Sequence, residues 1–156
     1  MKRISIVLAA LILVFFTACK SKDEKKEKDI RAIEKTHADT LLHEIDEIHM
    51  QGMGKMAKLT TLRQEATKLI DSIMAGTKKA DASYKKNLDS VLQDLATAEV
   101  MMDKWMIAFY ANTDTLSDNN EARINYLDAE KIKAANLRDF ILNSIQKADS
   151  LLKVKH

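Results

Sequence analysis

The chain has 156 residues, with no proline, three glycines and one cysteine, and 46% of its residues are apolar. This length fits one domain, the lack of proline and glycine excludes a turn-rich sandwich or barrel, and a single cysteine excludes a disulfide framework or a cysteine-based zinc site. The formal charge of +2 comes from 25 Lys+Arg against 23 Asp+Glu; because residues 1–18 contain two basic residues and no acidic one, the rest is balanced and predicts no basic surface for nucleic acid.

The first 18 residues are typical of a secretory signal peptide. Two basic residues precede an unbroken apolar run, Ile4–Phe16, which is shorter than the about 20 residues of a membrane-spanning helix. Residues 16–19 (FTAC) resemble the bacterial lipobox, in which a small residue precedes a cysteine that is lipidated and becomes the first residue of the mature protein. The sequence therefore predicts a lipoprotein signal peptide over residues 1–18 and lipidation of Cys19. The alternative is a short membrane anchor with an incidental cysteine.

Residues 19–28 are predicted to form the lipidated cysteine and a charged tether. Residues 20–28 (KSKDEKKEK) are charged apart from one serine, and such a run cannot bury apolar surface. Several acyl chains would make the membrane a stable partner. Residues 22–24 (KDE) look like the acidic export signal of some Gram-negative lipoproteins. We therefore expect a lipid anchor in the outer membrane, with the protein facing either the periplasm or the cell surface.

Apolar residues at steps of three and four predict three amphipathic helices. The first runs over Ile30–Ile73, the second from about Asp81 to Tyr110, and the third from about Glu121 to Val154. Gly76 is placed to end the first helix, and residues 112–120 predict a polar loop. The seam of the second helix consists of Tyr84, Leu88, Val91, Leu95, Ala98, Met102, Trp105 and Phe109, and that of the third of Ile124, Leu127, Ala134, Leu137, Ile141, Ile145, Ala148 and Leu152.

Short connections make successive helices antiparallel neighbours. The predicted fold class is therefore all-α, an antiparallel three-helix bundle or stack of long helical hairpins over residues 29–156. The first helix is the longest, so its turns before about Leu41 are expected to project as a stalk toward the membrane. Gly52 and Gly54 interrupt this helix, where they either kink it or allow close packing.

Antiparallel pairing places residues opposite each other when their numbers add up to roughly 157 across the first turn and roughly 231 across the second. Gly52 is then opposite Trp105, with Tyr126 at the same level, so the glycines would leave room for the indole ring. The residues assigned to this layer are Gly52, Gly54, Met50, Met53, Met56, Met101, Met102, Trp105, Met106 and Tyr126.

Three interpretations of this layer are open. Methionine is a flexible core residue that packs well on aromatic rings. The methionines that do not fit one buried face could instead form an exposed surface for a protein partner. Thioethers and imidazole also suit Cu(I), which makes His49, Met53 and Met106 candidate ligands of a soft metal ion.

Other chemistry has little support in the sequence. Glu34-x-x-His37 and Asp46-x-x-His49 resemble the carboxylate–histidine pairs of di-iron bundles, but both lie on one helix. A second histidine that would complete a zinc-binding His-Glu-x-x-His motif, a serine elbow and a glycine-rich phosphate loop are all missing from the sequence. The sequence therefore predicts no enzyme activity and no cofactor. It predicts a structural or protein-interaction module with an unidentified protein partner.

Three segments carry a family resemblance: Leu42–Gly54, Ala98–Met106 with its Met-Met-x-x-Trp-Met core, and Tyr126–Lys131. Together they look like a family of small helical bacterial lipoproteins, many labelled "viral A-type inclusion protein", a label that reflects coiled-coil similarity. The resemblance covers roughly residues 35–152. It implies an all-helical fold and an envelope location, and the family has no established activity.

Overall fold

The computed structural model describes residues 20–115 and 120–153, which form three helices and, within these ranges, no strand. Helix α1 spans Lys20–Met74, α2 spans Ala82–Thr115 and α3 spans Asn120–Leu152. The predicted all-α three-helix bundle is confirmed, because each helix packs against the other two. The signal peptide and Cys19 lie outside the described residues.

The order of the cross-helix contacts defines the topology. Glu44 pairs with Lys131, and further along α1 Lys58 pairs with Asp149, so α1 and α3 run parallel. Helix α2 runs antiparallel to both, and α1 and α3 share the most extensive interface. None of the helices in the described ranges is long and apolar enough to cross a membrane.

Helix α1 begins earlier than predicted, at Lys20, and so includes most of the charged tether. Lysine and glutamate are good helix formers, and the predicted pair of Glu27 with Arg31 forms over 2.6 Å. All side chains of residues 25–37 are exposed except that of half-buried Glu34, and Ala38 is the first buried residue. Ile30 and Ile33 were assigned to the buried seam, but they lie on this projecting part and are 46% and 70% exposed.

The turn between α1 and α2 has the expected form. Gly76 has a φ of 71°, a conformation that glycine adopts without strain, and its N–H donates to the carbonyl of Ile73 over 3.1 Å. Asp81 caps α2, because its Oδ1 accepts from the N–H of Tyr84 over 2.7 Å. At its other end α2 continues to Thr115, through the first half of the predicted polar loop.

Three clusters of buried side chains fill the bundle. The one nearest the stalk contains Ala38, Leu41, Ile45, Phe109, Leu127 and Ala134; the central one Leu59, Leu62, Val91, Leu95, Ala98, Met102, Leu137, Ile141, Ile145 and Ala148; the far one Ala66, Ile73, Tyr84 and Leu88. The predicted seam of α2 is confirmed, since every member is buried except half-buried Trp105. Trp105 packs against both the first and the central cluster.

Candidate functional site

A buried carboxylate lies beside the single tryptophan. Trp105 Nε1 donates to Glu130 Oε2 over 2.8 Å, and Lys133 Nζ donates to Glu130 Oε1 over 2.6 Å. Glu130 is only 5% exposed, so both of its oxygens need these partners. The hydrogen bond to Glu130, reinforced by its negative charge, raises the pKa of the Lys133 ammonium. The charge of Glu130 is thus balanced at the edge of the core.

Aromatic rings extend from this contact toward the stalk. The Trp105 ring stacks on Phe109 at a centroid distance of 5.0 Å, and Phe109 stacks on Tyr126 at 6.3 Å. The Tyr126 hydroxyl donates to the carbonyl of Phe109 over 3.3 Å. Burial raises the pKa of the Tyr126 hydroxyl, and the charge of Glu130 raises it further. Offset ring pairs of this kind add to the stability of a core beyond their buried area.

His49 lies on the other side of Trp105, with the two ring centroids 5.4 Å apart. Its Nε2 is buried and has no hydrogen-bond partner in the protein. The small cavity beside it is lined by Met102, Trp105 and Leu137 among others and is too narrow to admit a water molecule. A buried polar atom without a partner is costly, and His49 is therefore the unusual residue of this layer.

The structure separates the predicted layer into buried and exposed residues. Gly52 and Met102 are buried, and Met56, Trp105, Met106 and Tyr126 are half-buried. Met50, Met53 and Met101 are 59%, 36% and 44% exposed. The layer therefore has a core of packed side chains and a set of thioethers at the surface.

The neighbours of the two glycines differ from the prediction. A Cβ atom at Gly52 would lie 2.8 Å from Cε of Met102 and 3.9 Å from Cα of Arg138. Gly52 thus allows close contact with Met102 and the backbone of α3, and not with the indole. Gly54 is exposed, with nothing within 4 Å of such an atom, so it has no packing role. Helix α1 continues through both positions.

The expected level of Tyr126 is also corrected. The residue of α3 that meets Trp105 is Glu130, one turn further along than predicted, and Tyr126 contacts Phe109. The cause is the length of α2: because it continues to Thr115, the turning point of the chain moves and the pairing shifts by about one turn.

The remaining histidines of the predicted pairs lie at the surface. His37 and His43 are exposed, and His43 Nε2 lies 3.4 Å from Glu47 Oε1 on the same helix. Within the described parts of the chain, no group of three or more His, Cys, Asp or Glu side chains could hold a metal ion. Thioether ligands are a separate class from these donors.

Comparison of the chain with family models, with curated proteins and with solved structures finds no match.

Proposed function

We propose that this protein is a lipid-anchored protein of the cell envelope whose helical bundle acts as a structural or protein-interaction module. The observation that carries the proposal is the projecting part of α1. It begins at Lys20, directly after the cysteine that we expect to be lipidated. A continuous helix from the anchor into the core would hold the bundle at a fixed distance from the membrane.

The dimensions of the projecting part support this role. Residues 20–37 precede the first buried side chain, Ala38, and at 1.5 Å per residue they span roughly 27 Å. Their alternating charges favour water and the helical state together. The same continuous helix then supplies one side of the bundle core, so that anchor and bundle would move as one body.

Ion pairs between helices support a bundle of fixed shape. Lys58 pairs with Asp149, Lys147 Nζ lies 3.0 Å from Asp94 Oδ2, and Arg63 Nε lies 3.0 Å from Glu99 Oε2. These pairs tie α1 to α3, α2 to α3 and α1 to α2. The hydrogen bond to Lys58 lowers the pKa of the Asp149 carboxyl, which keeps this group ionised at neutral pH. The resemblance to small helical lipoproteins, with Trp105 in its most specific segment, agrees with this role.

The anchor is tested by labelling in the native host. Cells fed radiolabelled palmitate are expected to label the wild-type protein, and Cys19→Ala is expected to abolish the label and to release the protein from the membrane fraction. Cys19 is the single cysteine of the chain, so no second thiol can substitute for it. Thr17→Ser, a conservative change two residues before the cysteine, is the matched control and should label normally. An unlabelled wild-type protein would overturn the anchor.

The interaction role is tested by photo-crosslinking in intact cells. A photoreactive residue is placed at one exposed apolar position of each helix, namely Met50, Ile107 or Ile132, which are 59%, 73% and 63% exposed. We expect an adduct of one discrete mass from at least one position, and we expect it to disappear when Cys19→Ala releases the protein. The absence of adducts from all three positions, or an adduct that persists after release, would contradict a role at the membrane.

A further inference from the structure

The edge between α1 and α2 has a defined register. Thr60 Oγ1 donates to Glu99 Oε1 over 2.6 Å, so these two residues lie opposite each other on antiparallel helices. Seven residues make almost two helical turns, and a step of seven along each helix therefore keeps to the same face. Seven residues before Thr60 is Met53, and seven residues after Glu99 is Met106. The register thus places these two methionines opposite each other.

His49 belongs to the same edge. It precedes Met53 by four residues, which places the two side chains next to each other on α1. Its ring lies against Trp105, the residue directly before Met106, at a centroid distance of 5.4 Å. The edge therefore combines one imidazole and two thioethers beside an indole ring.

The unpartnered nitrogen of His49 points to a ligand. Nε2 is buried without a hydrogen-bond partner, and the cavity beside it is too narrow for a water molecule. A neutral imidazole protonated on Nδ1 has a free electron pair on Nε2. Bonds from nitrogen to a metal ion are about 2.0 Å long, shorter than a hydrogen bond to water, so an ion can approach where water cannot.

The donor atoms select the kind of metal ion. Thioether sulfur and imidazole nitrogen are soft, uncharged ligands that suit Cu(I) and not the hard ions, which need oxygen. The face of an indole ring attracts a nearby cation and is most effective in tryptophan. We propose that His49 Nε2 and the sulfur atoms of Met53 and Met106 bind one Cu(I) ion, with Trp105 beside it.

The surface position of the methionines gives the ion a route of entry. Met53 is 36% exposed and Met106 is half-buried, whereas Met102 in the core is 2% exposed and packs against Gly52. Two other exposed methionines serve as matched controls. Met101 is 44% exposed and lies on a different side of α2 from Met106, and Met74 is 76% exposed at the end of α1.

The test is a titration of the full chain in detergent with Cu(I), without oxygen and against a chromophoric Cu(I) chelator. The chain carries Cys19→Ser so that no thiol competes. We expect one Cu(I) per chain, bound more tightly than about micromolar, with quenching of the fluorescence of Trp105, the single tryptophan. Met53→Leu, Met106→Leu and His49→Gln should each weaken binding by about tenfold or more, while Met101→Leu and Met74→Leu should leave it unchanged.

The controls separate a specific site from general binding to methionine. Leucine keeps the volume of methionine, so circular dichroism should show the same helix content in all the methionine variants. Binding weaker than about micromolar, or an equal loss of affinity in the Met101→Leu and Met53→Leu variants, would overturn the proposal. Binding with full affinity but no change in the fluorescence of Trp105 would overturn the placement of the ion beside the indole.

Discussion

Replacing Glu130 with alanine is expected to lower the free energy of unfolding by about 3 kcal/mol. Glu130 is 5% exposed and accepts the hydrogen bond of Trp105 Nε1 over 2.8 Å. Its loss would leave a donor without a partner, which costs about 1–3 kcal/mol, and would add a cavity in the core. Urea denaturation followed by circular dichroism measures the change.

Two variants identify the cause of this loss. Glu130→Gln keeps an acceptor for Trp105 and should cost only about 1 kcal/mol. Asp128→Ala removes an exposed carboxylate of the same helix and should change stability by no more than about 0.5 kcal/mol. A double-mutant cycle with Trp105→Phe should give a coupling energy of about 1 kcal/mol or more. Equal losses for Glu130→Gln and Glu130→Ala would show that the hydrogen bond to Trp105 is not the cause.

The position of Glu130 could have been found in the sequence by a stricter use of periodicity. The apolar seam of α3 passes from Leu127 to Ala134 and from Ile141 to Ala148. Steps of three and four between these residues fall on Glu130 and Ser144, which are the buried polar residues of the bundle's described part. A search limited to apolar residues omits them. The heptad pattern alone assigns both positions to the core.

The helices themselves were largely predictable because they depend on local patterns. Periodicity located all three, and the αL glycine of the first turn was identified from Gly76. The register between α2 and α3 was less certain, since it depends on where α2 ends. Asn112 could belong to a loop or a helix by composition, and in the structure its Nδ2 donates to the carbonyl of Ala108 over 2.9 Å within α2.

The candidate site depended on contacts that sequence spacing does not contain. Seven residues separate Met53 from Thr60 and Met106 from Glu99, but only the bond between Thr60 and Glu99 shows that these faces meet. The buried and unpartnered state of His49 Nε2 results from the packing of Trp105 and α3 around it. Periodicity predicts which side of a helix is buried, and it does not predict which atom of a side chain lacks a partner.

Replacing Gly52 with leucine is expected to lower the free energy of unfolding by about 2 kcal/mol. Its Cβ atom would lie 2.8 Å from Cε of Met102 and 3.6 Å from Cδ1 of Ile141, and the remaining carbons would reach further toward α3. Overpacking a core costs typically about 1–3 kcal/mol, and only about 0.8 kcal/mol is regained because leucine is a better helix former than glycine. Thermal and urea unfolding of the variant measure the loss.

Gly54→Leu is the matched control, because it makes the same change two residues further along the same helix. Nothing lies within 4 Å of a Cβ atom at Gly54, so this variant should be stabilised by about 0.8 kcal/mol. Met102→Ala in the Gly52→Leu background removes the side chain that the new leucine meets first, and the cost of Gly52→Leu should be smaller there than in the wild type. If both glycine variants were stabilised equally, α1 would not approach Met102 and α3 as closely at Gly52 as the structure shows.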